Sequence, residues 1–173
     1  MDDLLKKEIR ILGLSAPCKA SFESVVVGAV FRGNLWLDAI ITCRLEGSRR
    51  RYLSNLATAV RNSKQYSQVR AAIFSRENIL PLEIEDFRAL GKMINFPVFA
   101  LCKEPHRKLE KRHEIISLRG NKIHTPVWVF GEEHARAKEI LSLACRNESQ
   151  VPEAVRAADL IAKELPKSVL TGG

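Results

Sequence analysis

Two β-rich runs, Ser24 to Phe31 and Leu35 to Leu45, are separated by only Arg32-Gly33-Asn34. So short a connection holds no crossover, and its Gly and Asn supply turn chemistry, so the pair reads as an antiparallel hairpin. Ile9 to Leu14, closed by Ser15-Ala16-Pro17, precedes it as a further apolar strand. Then the period changes. Leu53, Leu56, Ala57 and Val60 recur at i, i+3, i+4 and i+7, one face of an amphipathic helix running from about Arg50 to Tyr66. Val69 to Phe74 is again strand-like.

A second helix is expected over Leu82 to Ile94. Pro81 suits its start, Glu83, Glu85 and Asp86 its first turn, and Ile84, Phe87, Leu90 and Ile94 its apolar face. Pro97 to Cys102 is a short apolar strand, and the basic stretch Lys103 to Arg112 reads as a loop or short helix. Glu114 to Leu118 and Pro126 to Phe130 look like late strands around the turn Arg119-Gly120-Asn121-Lys122. Helices over Glu132 to Arg146 and Pro152 to Leu165 complete the chain, the first turning Ala137, Ile140, Leu141 and Ala144 inward.

Three strands followed by helix–strand alternation point to an α/β protein with a mixed sheet flanked by helices. The ribonuclease H-like arrangement is the commonest fold with that order. The strand Ile9–Leu14 is expected at the centre of the sheet, beside Val69–Phe74. One domain over residues 1–173, with short flexible termini, accounts for the whole chain. Its 173 residues, 46% hydrophobic, suffice for one substantial core, and 28% charge with only 9 Gly and 7 Pro argues against disorder.

Other classes fall away. The longest apolar run, Val25 to Phe31, is far too short to span a bilayer, and Met1 to Lys7 lacks the apolar segment of a signal peptide. Cys18, Cys43, Cys102 and Cys145 are scattered without a C-x-x-C pair, so a zinc or redox motif is poorly supported and a reduced, cytoplasmic protein is expected. His106, His113, His124 and His134 lack the spacing of zinc hydrolases. No Walker, G-x-S-x-G or dinucleotide-binding glycine pattern occurs.

The charge balance is more informative. A formal net charge of +8 and a pI near 9.6 favour polyanionic partners. Leu45-Glu46-Gly47-Ser48-Arg49-Arg50-Arg51 lies between a strand and a helix. Unpaired backbone N–H groups and the helix dipole favour an anion there, so a phosphate or an acidic partner would suit the place. A solvated basic loop is the alternative reading.

Two-metal phosphodiester hydrolysis needs several carboxylates converging on ions about 4 Å apart. In a ribonuclease H-like sheet these acids come from neighbouring strand ends. Asp38, Glu46, Glu77, Glu83, Glu85 and Asp86 lie in the relevant half, but only Glu46 sits at an expected strand end. The first strand ends in Ser15 and the fourth in Ser75.

The stretch Val151-Pro152-Glu153-Ala154-Val155-Arg156-Ala157-Ala158-Asp159-Leu160-Ile161-Ala162 resembles the signature of an archaeal family long described as uncharacterised. That family is associated with endonuclease dU, a distant relative of endonuclease V. Val27 to Gly33 with Trp36-Leu37-Asp38 is similar to its second and third strands, and Asn95-Phe96-Pro97-Val98 to its Gly-x-Pro-Val segment. The resemblance runs from about Ile11 to Ser168. It implies a metal-dependent endonuclease for deaminated, uracil-containing DNA, using Mg²⁺ or Mn²⁺.

The departures fall on the acids. Gly13-Leu14-Ser15-Ala16-Pro17 stands where the family carries Gly-Ile-Asp-Asp-Gly, and Leu45 to Arg51 where it carries Val-Asp-Gly-Leu-Asp-Ala-Thr. Phe74-Ser75-Arg76 stands for Leu-Asp-Gly, while Asp86 is retained. Two readings follow. In one, Glu46 and Asp86 are catalytic, with Glu46 and Asp38, or Glu77, gathering a single Mg²⁺. In the other, the chain is a catalytically impaired nucleic-acid-binding or protein-assembly module, with no metal. In both, Arg49, Arg50, Arg51 and Arg76 face nucleic acid, DNA first, and an acidic protein partner is a third possibility.

Overall fold

The structure, a computed structural model, describes residues 8–16, 24–45, 47–75, 82–102, 115–119, 124–146, 149 and 151–165. Among these residues seven strands and four α-helices follow one another as β1 (Arg10–Ser15), β2 (Ser24–Arg32), β3 (Trp36–Leu45), α1 (Arg49–Arg61), β4 (Val69–Ser75), α2 (Ile84–Ile94), β5 (Val98–Leu101), β6 (Ile115–Arg119), β7 (His124–Phe130), α3 (His134–Ala144) and α4 (Glu153–Glu164). The strands form one sheet in the order β3-β2-β1-β4-β5-β7-β6.

The hairpin forms as expected: β2 pairs antiparallel with both β1 and β3. β1 then runs parallel to β4, and β4 parallel to β5. Ile11 opposes Ala71 and Gly13 opposes Ile73, so the first and fourth strands are neighbours in the middle of the sheet. Parallel neighbours need crossover connections, and α1 and α2 lie in those crossovers.

Strand alternation sends side chains to two separate cores. Leu12, Leu14, Val30, Ala72, Phe74 and Trp128 meet α1 and α2 through Tyr52, Leu56, Val60, Phe87 and Leu90. Ile11, Val27, Ala29, Ile73, Phe99 and Val129 meet α3 and α4 through Ala137, Leu141, Val155 and Ala158. The second interface is very close at Gly13. A Cβ there would lie 2.1 Å from the carbonyl carbon of Ala154, so only glycine lets α4 settle onto β1.

Some boundaries differ from the sequence reading. α1 stops at Arg61, five residues short of Tyr66: the Asn62 N–H bonds to Thr58 O and the Ser63 hydroxyl donates to Val60 O at 2.7 Å. A single 3-10 turn, Tyr66–Gln68, then leads into β4. β7 begins at His124, two residues before Pro126, because Arg119 of β6 pairs opposite it. Pro126 cannot donate, but its carbonyl accepts the Cys102 N–H at 3.0 Å. Lys103–Arg112 and the turn Gly120–Lys122 lie outside the described residues. Among the described residues no helix is long and apolar enough to cross a membrane.

Candidate nucleic-acid interface

β1, β4 and β5 run in the same direction and end at Ser15, Ser75 and Leu101. β3, two antiparallel steps from β1, shares that direction and ends at Leu45. The start of α1 therefore joins the strand ends on one edge of the sheet, where open α/β sheets usually bind ligands. Gly47 makes the entry into α1 possible: its φ is +95°, and a Cβ would lie 3.2 Å from Arg51 Cδ.

The N-terminus of α1 has no side-chain cap from Ser48 and no acid in its first turn. Its first residue, Arg49, reaches across to α2. Arg49 Nε donates to both carboxylate oxygens of Asp86, at 3.0 and 2.8 Å, and Nη2 lies 2.7 Å from Oδ2 and 3.1 Å from Glu83 Oε2. Asp86 in turn accepts the Glu83 N–H at 2.7 Å and completes a capping box at the start of α2. The Asp86 hydrogen bond, more than the Glu83 one, pushes the Arg49 guanidinium further up from its already high pKa. Asp86 is buried. Its charge thus belongs to a cap and a guanidinium clamp.

Arg50 and Arg51 follow on the exposed side of α1. Neither forms an ion pair among the described residues, and both stand beside the open helix N-terminus. They are the available cations of the triplet.

On the other face of the same edge lies a carboxylate the sequence reading did not single out. Ser15 is fully buried, and its hydroxyl approaches Asp159 Oδ1 of α4 at 3.5 Å. Lys163, one helical turn on, holds Asp159 Oδ2 at 2.6 Å. Asp159 was in view, inside the C-terminal motif that carried the family resemblance. Its place at the end of β1 follows from a contact 144 residues apart, for which local spacing gives no signal.

Asp38 is not brought to this edge. It lies seven residues before the end of β3, about 23 Å away at about 3.3 Å per residue. There it pairs with Arg10 Nε at 2.6 Å and Arg32 Nε at 3.0 Å. The Arg32 hydrogen bond, with Arg10 adding to it, holds its carboxyl below the usual range. Asp38 therefore pins the opposite ends of β1, β2 and β3. Glu46, Arg76 and Glu77 lie outside the described residues.

The donor set tests the implied Mg²⁺ or Mn²⁺. Among the described residues no three His, Cys, Asp or Glu side chains gather closely enough to hold a metal ion. Among the described carboxylates at this edge, Asp86 and Glu83 already carry the Arg49 guanidinium and Asp159 the Lys163 ammonium. Hard divalent ions need several anionic oxygens free to bind. The residues described here do not fit such an ion.

The architecture and its neighbours define a ribonuclease H-like α/β protein. Human endonuclease V aligns with a TM-score of 0.64 at 14% identity, over 94% of this chain and 86% of that one. Endonuclease V of Ciona intestinalis, in complex with a 24mer DNA containing an inosine followed by a ribo-adenosine, gives 0.64 at 13% identity, over 94% and 88%. Marinitoga piezophila Argonaute in complex with guide RNA gives 0.56 at 12%, over 93% of this chain and 31% of that one. In sequence, the chain is similar to archaeal proteins of the UPF0215 group. It is 26% identical to the Methanosarcina acetivorans protein over 183 residues, covering 94% of this chain and 93% of that one. With the Methanothermobacter thermautotrophicus protein it is 26% identical over 181 residues, covering 91% and 88%. No protein-family model matches the chain.

Proposed function

We propose that this chain is a cytoplasmic nucleic-acid-binding protein, built on the scaffold of a metal-dependent endonuclease for deaminated DNA, in which catalysis is impaired. The observation that carries the reading is the Arg49 clamp on Asp86 at the strand-end edge. A guanidinium there occupies a carboxylate that a nuclease on this scaffold would turn toward a cation. Ser15 and Ser75 at the ends of β1 and β4 supply hydroxyls in place of charge. The endonuclease V likeness, the net charge of +8 and the exposed Arg50 and Arg51 support binding of a phosphate backbone along this edge.

The test has two arms. Fluorescence anisotropy against duplex and single-stranded DNA should show affinity that falls with salt, by about 0.9 in log K per log salt for each duplex phosphate contact. Salt-independent binding, or none, overturns the binding part. A nicking assay on a uracil-containing duplex with Mg²⁺ and with Mn²⁺ should show little or no cleavage. Robust nicking abolished by Glu46→Ala would make Glu46 catalytic and overturn the impairment.

A further inference from the structure

At the opposite end of the sheet, where β4 and β5 begin, the surface holds an open depression of about 390 Å³. That is within the range of pockets that take small organic ligands, roughly 300–1,000 Å³. One wall is aromatic: the rings of Tyr66 and Phe96 lie 5.9 Å apart, tilted by 44°. Tyr66, which lines the depression, is fixed in place, since its hydroxyl donates to Ile94 O at 2.9 Å.

Two guanidiniums line the same depression. Arg70 is oriented by Nη1, which donates to Ser67 O at 3.0 Å, with a longer contact to Val69 O at 3.4 Å. Those carbonyls leave its charge uncompensated by any acid among the described residues. Arg136 sits in the first turns of α3 with Glu132 Oε2 3.6 Å from its Nε, too long for a good hydrogen bond. The Glu132 carboxylate is itself turned to the backbone, where Oε1 accepts the Glu133 N–H at 3.0 Å. Two cations against one acid leave the lining with an excess of positive charge.

The geometry points to a binding site for a nucleoside 5′-monophosphate. The base would lie on the Tyr66–Phe96 wall, and the phosphate dianion would bridge Arg70 and Arg136 by charge-assisted hydrogen bonds. The same chemistry is offered by a free mononucleotide and by the 5′-phosphorylated end of a strand. The site is separate from the Arg49–Arg51 edge, which stands at the other ends of β3 and β4.

Isothermal titration of the full-length protein with AMP and UMP, beside adenosine and inorganic phosphate, tests the assignment. The monophosphates should bind at least about tenfold more tightly than either fragment, because the two halves of the ligand are recognised together. Arg136→Ala and Arg70→Ala, both on exposed side chains, should each weaken binding by about tenfold or more without changing the melting temperature. Arg50→Ala/Arg51→Ala should leave it unchanged. Competition by a 5′-phosphorylated dinucleotide, absent with its 5′-hydroxyl form, would assign the strand end as source, and no competition the free nucleotide. Failure of both monophosphates to bind, indifference to Arg70 and Arg136, or loss in the Arg50/Arg51 variant alone overturns the proposal. Indifference to Arg70 and Arg136 overturns this site without touching DNA binding at the other edge, which the Arg50/Arg51 variant reads separately.

Discussion

Arg49 and Asp86 join the first turns of α1 and α2 through a two-pronged contact in which Nε and Nη2 both lie within 3.0 Å of the carboxylate. The aspartate also caps α2, so one side chain closes a helix end and a helix–helix contact at once. Asp86→Ala should therefore destabilise the fold by about 2 kcal/mol, half from the cap and half from the charged hydrogen bonds. Arg49 is 39% exposed, so water weakens the pair. A double-mutant cycle by urea denaturation should give a coupling of about 1 kcal/mol. A coupling near zero would show that the clamp contributes geometry without stability.

Because Arg49 is occupied, nucleic-acid contacts at α1 fall to its neighbours. Arg50→Ala/Arg51→Ala should lower the salt slope of duplex binding by about 2, and Arg49→Ala should barely change it. Anisotropy titrations at several salt concentrations read the difference. A larger loss from Arg49→Ala would mean that the clamp opens on binding.

Ser15 offers a sharper probe. Ser15→Asp sets a second carboxylate against Asp159, which Lys163 holds at 2.6 Å. The variant should melt lower than wild type in EDTA and regain part of the loss in millimolar Mn²⁺, since a divalent ion relieves the repulsion of paired acids. Melting curves that ignore Mn²⁺ would rule out a latent ion site between β1 and α4.

Acid stability should depend on Asp38. Its carboxyl titrates below the usual range, chiefly through the Arg32 hydrogen bond. The native state thus holds fewer protons than the unfolded chain just below about pH 4. The contribution is fully present above that pH and is lost as the pH falls through the lower native value. Thermal melts from pH 7 to pH 3 should therefore show Asp38→Asn losing less on acidification than wild type. Parallel losses would refute the role.

Much of this architecture was readable from local pattern. The Arg32-Gly33-Asn34 turn dictated the hairpin, and the apolar spacing of Leu53, Leu56, Ala57 and Val60 marked the face that α1 buries. The edge itself was less legible. Asp38, near the start of its strand, looked like a candidate ligand because sequence does not show that Arg10 and Arg32, on two other strands, take up its carboxylate. Arg49 read as a phosphate contact because its partner is 37 residues away on another helix. Asp159 went unremarked for the same reason: pairings fixed by tertiary packing leave no trace in spacing.

At Gly13 the margin is smallest. Gly13→Ala would drive a methyl group into the backbone of Ala154, and neither strand nor helix can yield without losing its own hydrogen bonds. A loss of about 3 kcal/mol in urea denaturation is expected, against near-neutral Ala substitutions at exposed positions. A neutral Gly13→Ala would mean that α4 rides further from the sheet.

That contact also sets an order of events during synthesis. The segment covering Ile11, Val27 and Ala29 is α4, and it leaves the ribosome after every strand it covers. Until then the part of that face formed by β1 and β2 stays bare. The first strand waits for α4, and a chain cut short before Glu153 would keep Ile11, Val27 and Ala29 uncovered, a sticky strip that a chaperone would have to shield.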